Sequence, residues 1–219
     1  AAEPVDAVFC VTVFREGGYD QEVMQGINVA EAASKTGVEH IVYSSVASVE
    51  TDTGLRNFES KRTVEDHIRK LGLPATFLRP TYFMQNFERQ REEITNGTLT
   101  LPIKPDVPLQ LVDVDDIGAF AANALAHPNR YVDTAIELAG DEQTLASASR
   151  VFEEVLGHPV EPVSMSIEEA RAEYDDVHAD MHVWFNEHGY EVDIDTLAQQ
   201  YPVSLTKLEE YLRMHRWNC

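Results

Sequence analysis

Two stretches decide the fold: Pro4-Val5-Asp6-Ala7-Val8-Phe9-Cys10-Val11-Thr12 and Val38-Glu39-His40-Ile41-Val42-Tyr43-Ser44-Ser45. Each is a short run rich in β-branched and aromatic residues, the pattern of a strand buried on both faces. Between them, residues 20–35 place Val23, Ile27, Ala30 and Ala33 on one helical stripe, and Gly37 is positioned to end that helix. A polar loop follows Ser45, then a helix over 58–71 closed by Gly72, then a third strand, Ala75-Thr76-Phe77-Leu78-Arg79, stopped by Pro80. Strands alternating with helices imply a doubly wound parallel sheet. None of the 11 glycines forms G-x-G-x-x-G or another glycine-rich turn after a strand. That turn is what lets backbone N–H groups approach a pyrophosphate at a helix N-terminus.

Beyond Pro80 the pattern predicts a helix over 82–94, broken by Asn96-Gly97, and short strands at 98–101 and 109–112. Asp115 reads as the N-cap of an Ala-rich helix over 117–125, and Asp115-Asp116 together as acids that favour a helix start rather than as a catalytic pair. A strand over 135–139, a helix over 145–156 capped by Gly157, and a short strand over 160–165 follow, with helices over 167–188, 194–200 and 205–216. These elements suggest a partial sheet domain over 1–140 and a small, dependent, α-rich region over 141–219.

Composition narrows the functional classes. The chain of 219 residues is 43% hydrophobic and 25% charged, a globular rather than a disordered balance. No apolar run approaches the roughly 20 residues needed to cross a bilayer, and no signal-peptide pattern opens the chain, so a cytoplasmic location without membrane contact is expected. Cys10 and Cys219 give no disulfide framework. The net charge of −21, from 38 acids against 17 bases, comes from acids scattered along many helices. Such an acidic surface suits a halophilic, salt-rich cytoplasm, and it excludes a general basic face for nucleic acid.

The ordered set of segments resembles the NmrA-like family of atypical short-chain dehydrogenase/reductases. The resemblance is carried by Ala7-Val8-Phe9-Cys10-Val11-Thr12, by the run from Gly37 to Ser45, and by Phe58-Glu59-Ser60-Lys61. It continues through Leu78-Arg79-Pro80-Thr81-Tyr82-Phe83-Met84-Gln85-Asn86, Val112-Asp113-Val114-Asp115-Asp116-Ile117-Gly118 and Leu138-Ala139-Gly140-Asp141-Glu142. It implies a three-layer Rossmann-like parallel sheet with a small, mostly helical C-terminal region, and NADP or NAD as cofactor. It also implies either reductase activity or redox-responsive regulation. Measured against that family, the chain starts at the fourth strand. About 60–75 residues, including the glycine-rich turn, are therefore expected to be missing from an N-terminally truncated fold.

Within that resemblance Lys61 is the candidate for the nicotinamide ribose and for catalysis. The tyrosine that stands four residues before such a lysine in short-chain dehydrogenases is absent, because positions 57 and 58 are Asn57 and Phe58. The competing reading of Lys61 is a helix-surface lysine paired with Glu65. Ser44 and Ser45 end a strand at the edge where doubly wound sheets place ligands, and they serve equally as local loop caps. By analogy Thr12, Val13 and Phe14 line the dinucleotide groove, and Pro80, Thr81, Tyr82 and Phe83 turn toward the nicotinamide. His178 and His182 share a helix face at i, i+4, but no third ligand is evident and no metal site is expected. Three functional readings follow: a dinucleotide-sensing or regulatory protein, an NAD(P)H-dependent oxidoreductase of a small carbonyl or quinone, and a ligand-free partner-binding scaffold. A homodimer or a regulatory protein partner fits any of them.

Overall fold

A computed structural model describes residues 5–217, so Pro4 and Cys219 lie outside the described residues. In chain order the elements begin with β1 (Ala7–Val11), α1 (Gly18–Thr36), β2 (His40–Ser44), α2 (Arg56–Lys70), β3 (Ala75–Pro80) and β4 (Tyr82–Phe83). Next come α3 (Arg91–Thr95), β5 (Thr98–Leu101), β6 (Leu109–Val112), α4 (Val114–Ala126), α5 (Pro128–Tyr131), β7 (Thr134–Leu138) and β8 (Asp141–Gln143). The chain continues through α6 (Leu145–Leu156), β9 (Glu161–Ser164), α7 (Ile167–Glu173), α8 (Asp176–Glu187), α9 (Ile194–Gln200) and α10 (Leu208–Met214). The residues fall into two compact units. One comprises the chain through Pro80 together with Ile117–Leu138; the other comprises Thr81–Asp116 and the chain from Ala139 onward.

The first unit is built on a parallel sheet of order β1-β2-β3-β7. Every residue of β2 and β3 is buried, on both faces of the pleat, as a parallel sheet between covering layers requires. On one face Cys10, Ile41, Tyr43 and Phe77 pack with Ala30 of α1 and Val64 and Ile68 of α2. The two helices approach closely because α1 buries Glu22, Gly26, Ala30 and Ala33, all but the first of them small. Val23 and Ile27, expected on the buried stripe, are only half-buried flanks. Gly37 ends α1 in the left-handed conformation at φ 73°, as its position in the sequence suggests. Among the described residues β1 and β7 are the two edges of this sheet, and Phe9 and Val11 of β1 are 44% and 60% exposed.

The second unit holds two small sheets. β6 pairs parallel with β4 and antiparallel with β8, and β5 pairs parallel with β9. Its core is aromatic: Phe87, Phe152 and Trp217 pack in sequence, with ring centroids 5.3 and 5.2 Å apart. The Glu88 carboxylate accepts from both the Tyr211 hydroxyl and the Trp217 indole at 2.9 Å. Trp184 and Phe185 are buried, with the Tyr190 ring packed against both.

Three local expectations are corrected. The stretch read as one helix over 82–94 is the β4 pair, a tight 3-10 turn over Met84–Gln90 and the short α3. The long helix over 167–188 is two helices, because Asp175 begins a new one by accepting from the His178 N–H at 2.8 Å. Finally, α4 starts at Val114, so Asp115 lies in its first turn instead of capping it. The capping role belongs to Asp113, whose Oδ1 accepts from the Asp115 N–H at 3.1 Å. Asp116 is engaged elsewhere, accepting from the Thr206 backbone N–H and hydroxyl, both at 2.8 Å.

Candidate functional site

In a parallel sheet the ligand edge is the carboxyl edge, where the strands deliver their following loops. Thr12 follows β1 there, Ser44 ends β2 with Ser45 just after it, and Pro80 ends β3. The structure gathers Thr12, Ser44 and Lys61 at that edge. The Lys61 ammonium donates to the Thr12 carbonyl at 2.9 Å, to the Thr12 hydroxyl at 3.1 Å and to the Ser44 carbonyl at 3.4 Å. It also pairs with the Glu22 carboxylate at 3.0 Å, the two side chains being 13% and 0% exposed.

Glu22 is the centre of this cluster, and it is absent from the candidates that the sequence suggests. One of its oxygens accepts from the Thr12 hydroxyl at 3.0 Å and the other from the Ser60 hydroxyl. Since the Thr12 proton points to Glu22, Tyr43 Oη is the donor in its 2.9 Å bond to Thr12 Oγ1. Burial pushes the Tyr43 phenol well above its ordinary range, against the lowering influence of the Thr12 hydrogen bond. It therefore stays a neutral phenol, fully enclosed. The tyrosine beside Lys61 is thus a buried structural donor and not an exposed acid. A sequence signal for Glu22 does exist: it stands four residues before Gly26 on the small-residue face of α1, where an acid is out of place unless paired.

The expected partner of Lys61, Glu65, is engaged elsewhere. Its carboxylate is held by Arg79 at 3.1 and 2.8 Å and by Arg69 at 2.8 Å. Burial works against the Arg79 charge, but the bonds from Glu65 and Glu50 outweigh it and raise the pKa of the guanidinium.

The remaining candidates take different positions. Ser45 is buried, its N–H donating to the Leu78 carbonyl at 2.7 Å, while its hydroxyl has no hydrogen-bond partner among the described residues. Val13 and Phe14 lead into a short 3-10 turn, with Val13 exposed. The Pro80 carbonyl accepts from the Ala47 N–H at 2.9 Å, tying the loop after β2 to the end of β3. Thr81, Tyr82 and Phe83 belong to the second unit. There Thr81 is buried, and Tyr82 packs its ring 6.1 Å from those of Phe87 and Phe185. Burial pushes the Tyr82 phenol up to about 12 despite nearby Arg89. Phe83 is 37% exposed, whereas Met84 and Phe87 are core.

Fold and edge together define a doubly wound α/β protein with a polar cluster at the carboxyl ends of its strands. The sequence profile described as the NmrA-like family matches residues 1–212, and the chain belongs to that family. A (4-alkanoyl-5-oxo-2,5-dihydrofuran-3-yl)methyl phosphate reductase from Streptomyces griseus is 32% identical over 177 residues. That match takes in 78% of this chain and 59% of the reductase's length. Among solved structures, the NADPH complex of the quinone oxidoreductase QOR2 of Escherichia coli superposes with a TM-score of 0.82 at 22% identity, over 97% of this chain and 77% of that one. NmrA, a negative transcriptional regulator solved in complex with NADP, gives 0.74 at 22% identity, over 94% and 72% of the two chains. These two likenesses establish the shared fold. No helix among the described residues is long and apolar enough to cross a membrane.

Proposed function

We propose that this chain carries the nicotinamide side of an NAD(P) site, and that the protein holds or senses the dinucleotide in a regulatory role. The observation that carries the reading is the Ser45 hydroxyl, buried at the carboxyl edge of the sheet and without a hydrogen-bond partner among the described residues. Such a group calls for a polar partner, and a bound nicotinamide or ribose at that edge supplies one. Lys61 stands beside it as the organiser of the Thr12 and Ser44 strand ends, with Thr12, Val13, Phe14 and Pro80 as its neighbours along the edge. Thr81, Tyr82 and Phe83 belong to the second unit and form no part of this cluster. NADP and NAD are both accommodated by this assignment.

Two features favour holding over turnover. The ammonium protons of Lys61 are engaged by Thr12 and Glu22, so few remain for a substrate. The tyrosine next to it is enclosed and neutral, and position 57 is an asparagine. A second reading, an NAD(P)H-dependent reductase of a small carbonyl or quinone, is supported by the Streptomyces griseus relative. Hydride transfer belongs to the cofactor and does not require a protein acid. The proposal includes a salt-rich cytoplasm as the working milieu, a homodimer or regulatory protein as partner, and no direct contact with nucleic acid or membrane.

Calorimetric titration with NADPH and NADH, in molar potassium chloride and on the longest form its gene encodes, tests the reading. Binding is expected, weakened about threefold to tenfold by Ser45→Ala, the worth of one hydrogen bond. NADPH oxidation across a carbonyl, quinone and azo panel is expected to stay at background. Steady turnover moves the assignment to the reductase, and absence of binding to either nucleotide overturns both in favour of a scaffold.

A further inference from the structure

The start of α4 holds a carboxylate whose surroundings are incomplete. Asp113 is 0% exposed. Both of its hydrogen bonds go to one oxygen: Oδ1 accepts from the Gln85 amide at 2.6 Å and from the Asp115 N–H at 3.1 Å. Gln85 is itself fixed, its own oxygen accepting from the Val114 N–H at 3.2 Å. Asp113 Oδ2 is buried with no hydrogen-bond partner among the described residues. Leaving a carboxylate oxygen dry and unmatched is costly, and a native fold that keeps one there calls for a counterpart.

Two further side chains lie close to the Asp113 carboxylate. Asp115 projects from the first turn of α4, and His215 stands at the C-terminal end of α10. One ligand atom from each of Asp113, Asp115 and His215 lies within 4.8 Å of the others. The His215 ring stacks on Tyr211 at 4.4 Å between centroids, and its carbonyl is held by the Arg91 guanidinium at 3.2 Å. The histidine is thereby anchored through its backbone and ring face while its ring edge remains accessible.

We propose that Asp113, Asp115 and His215 form a binding site for a divalent first-row transition cation, of the Zn2+ class, with solvent completing the coordination. Two carboxylates and one imidazole make a mixed oxygen and nitrogen set, which suits such ions better than Mg2+ or Ca2+ with their preference for oxygen alone. Bonds of about 2.0–2.2 Å place neighbouring ligand atoms roughly 3.3–3.5 Å apart. Rotation of the exposed Asp115 and His215 side chains closes the present spacing onto the fixed Asp113 oxygen. The positive end of the α4 dipole opposes a cation, and two carboxylates at that end offset it. This site stands independently of the dinucleotide reading, since every residue in it belongs to the second unit.

Titration of the metal-free chain with ZnCl2 against a chromogenic chelator, paired with thermal unfolding, tests the site. One equivalent is expected to bind and to raise the unfolding midpoint. His215→Ala and Asp115→Asn, both at exposed positions, are each expected to weaken binding by about tenfold or more. Neither variant should change the midpoint in excess chelator, which separates ligand loss from misfolding. Co2+ in place of Zn2+ should give visible absorption that His215→Ala alters, and Mg2+ and Ca2+ should not compete. Binding that survives both substitutions unchanged is diffuse association with surface acids and overturns the proposal, as does the absence of binding.

Discussion

Glu22 and Lys61 form an ion pair that is nearly closed to water, so removing one partner leaves the other uncompensated. Glu22→Ala is expected to cost about 3–5 kcal/mol in urea unfolding, and Lys61→Met a similar amount, because each strands a buried charge. The double variant Glu22→Ala/Lys61→Met should cost less than the sum, with a coupling of about 1–3 kcal/mol. Additive single costs would show that the two do not act as a pair. A second residue-level expectation concerns pH. Burial holds the His182 imidazole below its ordinary 6.5, and its Nδ1 makes a 2.7 Å bond to the His178 carbonyl. Between the depressed native value and about 6.5 the unfolded chain binds a proton that the native chain does not. Stability therefore rises with pH across that window and is lost on acidification from about 6.5 downward. His40 is depressed by burial in the same sense. His182→Gln should flatten the slope of unfolding free energy measured from about pH 7.5 to about pH 5.5; an unchanged slope would assign it elsewhere. Thr12 and Ser44 can be picked out from the chain because strand ends in an alternating pattern mark a ligand edge, whereas Lys61, within α2, is singled out only by the family resemblance. Glu22 cannot be matched to Lys61 in the same way, since only the packing of α1 against α2 brings the two together.

At the level of elements, the contact of α1 with α2 depends on Gly26. A Cβ at this position would lie 2.5 Å from both methyl carbons of Val64. Alanine in a helix interior gains roughly 1 kcal/mol over glycine by propensity, but a contact that short forces the helices apart at about 1–3 kcal/mol. The clash wins, so Gly26→Ala is expected to destabilise, and adding Val64→Ala should restore part of the loss. A stabilising Gly26→Ala would mean that the helices separate freely. The strands β2 and β3, and the glycine-ended α1 and α6, are readable from the chain because periodicity and cap agree there. The segment after Pro80 is not. Its apolar residues have helical spacing, yet Tyr82 and Phe83 pair instead with Leu111 and Val112 of β6. The grouping of Asp113, Asp115 and His215 is equally hidden, because about 100 residues separate the acids from the histidine in the chain and only the fold of the second unit brings them within 4.8 Å.

For the whole molecule the dominant electrostatic quantity is the net charge of −21. Charges of one sign repel over a distance of about 30 Å at 0.01 M salt but only about 3 Å at 1 M. The native chain concentrates these charges and so gains more from screening than the expanded one. Surface pairs such as Arg171 with Asp176 and Asp180, and Arg213 with Glu209, weaken under the same screening, but exposed pairs contribute only about 0–1 kcal/mol each. With 38 acids facing 17 bases, relief of repulsion outweighs loss of pairing. The unfolding midpoint should therefore climb as potassium chloride is raised from about 0.05 M to about 2 M, steeply at first and then levelling as the Debye length falls below the spacing of surface acids. Potassium chloride is the discriminating salt, because sulfate would strengthen apolar burial as well. The enclosed Glu22–Lys61 pair supplies an internal control. The cost of Lys61→Met should stay nearly constant across the same series, since bulk ions do not screen a pair that water barely reaches. A midpoint that is flat or falling in potassium chloride would mean that the acids are spaced or paired well enough to be harmless, and that a salt-rich milieu is not what this chain is built for.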